Sequence, residues 1–253
     1  MSLSISTLSI LIILFFVTSA IGVVTGSNSL VTVPIMFQFG IEPKVAVATN
    51  MFGLTFMSIG ATIPFFKQKV FDRKTLTPLV ILTLIGSALG AVLVGLITNQ
   101  SIKLIVSISM IAVALFTLYR RNAGLEKVEN VSSNATLFVF ALTFLLGIYG
   151  GLFRGGYVTM LTAVYVAFFG MTFTEAVANT KLINVFSSLI ASAVFAWQGL
   201  IDYKIGLILA VTMFIGAYIG AHTVTKLNDL WLKRIFLTTV LILAIKTIYD
   251  FAK

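Results

Sequence analysis

The sequence predicts an all-α, polytopic integral membrane protein of about eight to ten membrane segments, built as two homologous, inverted repeats with broken helices at the midplane. Three observations predict it. Hydrophobic residues make up 59% of the 253 positions and charged residues 10%, with a mean hydropathy of +1.09; a water-soluble domain of this length cannot bury so many apolar side chains. The apolar residues form long unbroken runs, without the alternation of barrel strands. The second half of the chain also repeats the first at a fixed offset.

In lipid a backbone N–H or C=O finds no partner outside its own segment, so each crossing needs a helix of about 20 apolar residues. The runs cover residues 3–24, 30–39, 45–66, 76–98, 102–119, 136–153, 157–169, 176–197, 204–225 and 231–251. The first resembles a cleavable leader, with Val17-Thr18-Ser19-Ala20 as a cleavage site, but no Lys or Arg precedes Lys44. It also belongs to the repeat, so it is read as a retained first helix. Runs 30–39 and 157–169 are too short to cross at full thickness, and each follows a break: Gly26-Ser27-Asn28-Ser29 and Gly150-Gly151-Leu152-Phe153-Arg154-Gly155-Gly156. The polar linker 120–135 separates a first membrane repeat, 1–119, from a second, 136–253.

The repeat is read from one register of 130 residues. Gly40 matches Gly170, Ala46-Val47-Ala48 matches Ala176-Val177-Ala178, and Gln68 matches Gln198. Asp72 and Lys74 match Asp202 and Lys204, Ile85-Gly86 matches Ile215-Gly216, and Gly90-Ala91 matches Gly220-Ala221. Membrane composition alone aligns apolar residues; it does not align Asp-x-Lys, Gln and paired glycines together. Whether the halves are parallel or inverted depends on whether 3–24 and 30–39 together cross once or twice. With five segments per half the Lys and Arg of 67–74, 120–127 and 226–234 share one side, and with four the positive-inside bias is weaker, so inverted halves with both termini outside are favoured.

The formal charge of +9 invites a nucleic-acid reading, but the cations cluster between apolar runs, which suits anionic lipid and excludes nucleic acid as a partner. The chain has no Cys and one His, His222, so thiolate chemistry is absent and no metal site or cofactor is expected. Without HExxH, a nucleophile with its base, or a carboxylate dyad inside a span, an intramembrane enzyme is not expected. No nucleotide-binding loop is present either.

Repeats of this kind place transporter sites at the midplane, on interrupted helices. A helix restarting after a break exposes N–H groups and its positive dipole end, which favours an anion. At the first break Ser27, Asn28 and Ser29 add neutral donors; at the second, Gly155 and Gly156 let an oxyanion approach the backbone. The alternative for these small residues is a tight turn or close helix packing. Arg154, at membrane depth, costs about 2.5–3.5 kcal/mol and needs a partner or a wet cavity. An anionic substrate serves, as does a structural ion pair or snorkelling. Thr49-Asn50 and Asn179-Thr180 occupy equivalent places on the following helices and suit either a shared pocket or interhelical hydrogen bonds; Lys181 adds charge to the pocket or sits near the interface. Glu42 and Glu175 read as helix-start carboxylates, Asp72 and Asp202 as turn and helix-start chemistry. His222 reads as a hydrogen-bonded structural histidine, with a group of a proton pathway as the alternative, and Trp197, Tyr203 and Trp231 read as interfacial anchors.

Taken together, Gly26 to Pro34, Gly40, Ala46-Val47-Ala48-Thr49-Asn50, Gly147 to Gly156, Gly170 and Ala176 to Lys181 resemble the sulfite exporter TauE/SafE family of membrane transporters. Asp72-x-Lys74 with Gly86 and Gly90, and Leu227-x-Asp229 to Phe251, carry the resemblance over nearly the whole chain. The first break is poorer in Gly than is usual in that family, and Arg154 interrupts the second Gly run. The resemblance implies passage of a small anion: sulfite, a sulfonate or a related sulfur-containing organic anion. The expectation is therefore a secondary transporter in the cell (inner or plasma) membrane, working by alternating access at the repeat interface. Its partners are a small anionic substrate and the lipid bilayer, and a homo-oligomer is compatible with it. The alternatives are a channel for another small solute or a non-transporting membrane scaffold.

Overall fold

A computed structural model of the chain describes residues 5–26, 28–66, 73–106, 108, 133–224, 226, 231 and 234. Within them every regular element is a helix: α1 (Ile5–Thr25), α2 (Ser29–Gln38), α3 (Pro43–Phe66), α4 (Arg73–Leu96), α5 (residues 99–106), α6 (Ser133–Leu152), α7 (Tyr157–Phe168), α8 (Phe173–Trp197) and α9 (Tyr203–Val224). Among the described residues, α3, α8, α9 and the Leu76–Leu96 stretch of α4 are long and apolar enough to cross a membrane. Most of runs 102–119 and 231–251, the linker to residue 132, Ser27, Gln68 and Asp72 lie outside the described residues.

Local chemistry sets several boundaries. The two short helices, expected at 30–39 and 157–169, end where Gly40 and Gly170 take φ of 78° and 68°. That left-handed backbone lets Ile41 N–H reach back to the Met36 carbonyl at 3.0 Å and Met171 N–H to Tyr165 at 3.2 Å, satisfying carbonyls the helix end leaves open. α8 starts on a capping box: the Thr172 hydroxyl accepts from Glu175 N–H at 3.2 Å, and the Glu175 carboxylate accepts from Thr172 N–H at 3.0 Å. Asp202 caps α9 by accepting from Lys204 N–H and Ile205 N–H. Glu42, just ahead of α3, accepts instead from the Asn99 side chain at 2.6 Å.

Packing exchanges partners between the halves. α1 lies on α9 and α6 on α4, while α3 packs against α8 and α9, and α8 also against α4. Glycines permit both of the first two contacts. A Cβ on Gly216 or Gly220 would fall 2.6 Å from the Phe16 carbonyl oxygen or 2.2 Å from that of Ala20. On Gly86 or Gly90 it would fall 2.7 Å from the Phe144 carbonyl oxygen or 2.0 Å from that of Ile148. Such small-residue seams let helix backbones approach where lipid gives no hydrophobic drive for association. They also make α1 a packed helix of the bundle.

Polarity is arranged for a lipid solvent. Ile13, Leu145, Leu207 and Val211 are exposed on outer faces, whereas Ser19, Asn50, Ser58, Thr83, Ser87, Asn184 and Ser187 are buried inside. Trp197 and Tyr203 stand exposed around the α8–α9 turn, where amphipathic rings suit the headgroup level.

Candidate functional site

The two breaks meet in the interior. A small cavity of about 10 Å³ is lined by Gly22, Gly26, Asn28 and Ser29 from the first break, Leu54 and Met57 from α3, Arg154 and Val158 from the second break, and Lys181 and Asn184 from α8. Its volume is about that of a single water-sized sphere.

Arg154 follows α6 and is buried. Its Nε donates to the Gly150 carbonyl at 3.1 Å, and its Nη1 donates to Asn184 Oδ1 and, at 2.9 Å, to Ser187 Oγ. The guanidinium lies over the ring of Tyr157, 4.9 Å from the centroid, a cation–π contact. Its Nη2 is buried with no hydrogen-bond partner. The Asn28 Oδ1, on the same cavity, is also buried without one. Buried polar groups are nearly always satisfied, so this concentration at one place marks a site whose hydrogen bonding is incomplete in the protein alone.

Lys181, on the third turn of α8, is buried as well, and its Nζ donates to the Gly22 carbonyl in the last turn of α1 at 3.0 Å. Among the described residues the buried set holds these two cations and no carboxylate: Glu42 is exposed, and Glu175 and Asp202 are partly exposed at helix starts. Two basic side chains, Arg154 and Lys181, are buried at one cavity without a buried carboxylate among the described residues, an arrangement that suits an anion there better than a cation. Among the described residues the partners of Arg154 are neutral and its side chain is buried, so neither an ion pair nor snorkelling is seen there.

The other expected residues are placed differently. Asn50 ties α2 to α3, donating to Ser29 Oγ and accepting from Thr32 Oγ1, both at 2.8 Å. Thr180 makes the matching tie in the second half, 3.3 Å from Thr162. Thr49 accepts from Asp202 N–H at 3.0 Å, and Asn179 donates to the Glu175 carbonyl at 2.9 Å, so both serve helix ends away from the cavity. Gly156, with φ of 75°, opens α7. A Cβ on Gly155 would meet the Phe153 ring at 2.4 Å. Of the eleven positions, Asn28, Ser29, Arg154 and Lys181 line the cavity.

A family model, Sulfite exporter TauE/SafE, matches residues 11–247. The chain belongs to the TauE/SafE family. A probable membrane transporter protein of Sinorhizobium sp is 29% identical over 96% of this chain and 93% of its own length. One from Haemophilus influenzae is 26% identical over 99% of this chain and 98% of its own length. The probable membrane transporter protein YfcA of Escherichia coli K12 is 26% identical, covering 94% and 89% respectively. No solved structure gives a significant match. Membership in this family makes the chain a membrane transporter and gives no support to an enzyme.

Sequence reasoning missed Asn184, Ser187 and Tyr157, which contact the guanidinium of this TauE/SafE protein, and Ser58, which bonds Asn184 behind it. Asn184 stands at the three-residue spacing from Lys181, and Ser187 at the next, so the polar stripe Lys181, Asn184, Ser187 on one helical face was the available signal. Gly22 and Gly26 were visible only as small residues; their role depends on tertiary approach. A Cβ on Gly26 would lie 2.5 Å from Val158.

Proposed function

We propose that this chain is a multi-pass secondary transporter of the cell (inner or plasma) membrane that carries a small anion, sulfite, a sulfonate or a related sulfur-containing organic anion, by alternating access between two inverted repeats. One observation carries the reading: Arg154 and Lys181 are buried around one cavity with no buried carboxylate among the described residues. Arg154 Nη2, with two N–H groups and no protein acceptor, is the donor edge for an oxyanion. Lys181 supplies a second charge, and Asn28 and Ser29 neutral polar contacts.

The duplication is supported by helix boundaries: α3 and α8 begin at residues 43 and 173, and α4 and α9 at 73 and 203, the register read from sequence. Gly26 and Gly156 share positive φ, as do Gly40 and Gly170. The exchanged packing of α1 on α9 and α6 on α4 fits two related halves, each the other's support. Five segments per half, an odd number, would invert the second. The cavity is too small for a sulfur oxyanion, so it corresponds to a closed arrangement, and loading requires α3 and α8 with their breaks to separate on one side.

Uptake into proteoliposomes of sulfite, short sulfonates and acetate tests this. Saturable uptake of a sulfur oxyanion, lost in Arg154→Ala, is the expected result; uptake of none of these anions overturns it.

A further inference from the structure

We infer that Asn184 is the positioning residue of the anion site, holding Arg154 in its binding pose while, as an amide, leaving the guanidinium charge for the substrate. This rests on the transport reading above. The Ser58 hydroxyl donates to the Leu54 carbonyl at 2.8 Å, which spends its one proton. Its oxygen is then an acceptor, and Asn184 Nδ2 donates to it at 2.5 Å. With Nδ2 fixed on Ser58, the Asn184 Oδ1 faces the other way, and Arg154 Nη1 donates to it. The direction of every bond in the chain Arg154, Asn184, Ser58, Leu54 follows from one proton count.

The consequence is chemical. An arginine has five N–H groups and no acceptor capacity. Here Nε and Nη1 are held by the Gly150 carbonyl, Asn184 Oδ1 and Ser187 Oγ, all neutral. They fix the plane of the guanidinium and leave Nη2 without a partner. An aspartate at 184 has almost the same shape, yet it would form a buried ion pair with Arg154, and that pairing would compete with any anion. Choosing the amide keeps the orientation and omits the competing charge. Ser58 lies on α3 and Asn184 on α8, so the chain of bonds also crosses between the two halves.

The test compares Asn184→Asp, Asn184→Ala and Ser58→Ala with the wild-type protein in sulfite uptake by proteoliposomes, alongside thermal unfolding in detergent with and without sodium sulfite. Asn184→Asp is expected to raise KM for sulfite by about tenfold or more and to lose the sulfite-induced rise in Tm, with an unliganded Tm at or above wild type. Asn184→Ala, in which Ser187 still holds Nη1, is expected to raise KM only a few-fold. Ser58→Ala, which frees the amide to turn, is expected to raise KM a few-fold at unchanged turnover, and it carries the test if Asn184→Asp does not fold. A merely structural role reverses the order, with the isosteric Asp mildest. A wild-type KM in Asn184→Asp, or in Ser58→Ala, overturns this inference while uptake that depends on Arg154 leaves the transport reading standing. A wild-type protein without saturable anion uptake overturns both.

Discussion

Arg154 and Lys181 line one cavity although they lie on different elements, one in the break before α7 and the other on the third turn of α8. Each is tethered by a carbonyl of a preceding helix end: Arg154 Nε by Gly150 of α6, and Lys181 Nζ by Gly22 of α1. The ends of α1 and α6 thus converge on the cavity, each contributing an acceptor to a cation. From this relationship the behaviour of several variants can be stated.

Arg154→Lys keeps the charge and loses the planar fork. A lysine reaching the cavity cannot bond Gly150, Asn184 and Ser187 while presenting a free edge. Uptake assays should show KM for sulfite raised by about tenfold to a hundredfold, the range for losing a hydrogen bond to a charged group.

Lys181→Met removes a cation and leaves the Gly22 carbonyl without its side-chain donor. That carbonyl keeps its bond from Gly26 N–H at 2.9 Å, so the unliganded protein should lose only about 0.5–1.5 kcal/mol, the net worth of one hydrogen bond, while anion uptake should weaken as well. Thermal unfolding in detergent read beside KM separates the two effects; Lys181→Gln, which retains a donor, should recover more stability than uptake.

Two glycines should respond oppositely to alanine. Gly90→Ala drives a Cβ to 2.0 Å from the Ile148 carbonyl oxygen and should abolish the monodisperse peak on detergent size-exclusion. Gly199→Ala meets nothing within 4 Å and bears only its positive φ of 69°, a cost of about 1–2 kcal/mol, and should purify like wild type.

The inverted arrangement can be read by labelling, because the chain has no native Cys. Lys69→Cys and Gly199→Cys stand at equivalent repeat positions. Inverted halves predict that a membrane-impermeant maleimide reaches one only from outside and the other only from inside; parallel halves predict labelling from the same side.

Much of this architecture is legible in the sequence because it rests on local rules. Apolar runs give the helices, and Glu175 and Asp202 give helix starts, each decided within a few residues. Arg154 and Lys181 stand out because a cation inside an apolar chain must be accounted for. What depends on tertiary approach is less visible. Thr49 and Asn50 are neighbours in sequence, yet Thr49 turns to the start of α9 and Asn50 to α2, since adjacent residues on a helix point about 100° apart. Asn184 looks like any polar residue of a membrane helix until Ser58, 126 positions away, is seen to orient it.

The central claim is that the free edge of Arg154 receives the anion. Isothermal titration of sodium sulfite into the detergent-solubilised protein, wild type beside Arg154→Ala, tests it most directly, without dependence on turnover. The account predicts saturable binding to the wild type and none measurable in the variant, with the variant still folded by its cooperative thermal transition. Equal affinity in the two proteins would contradict it and leave Arg154 as a packing element of the second break.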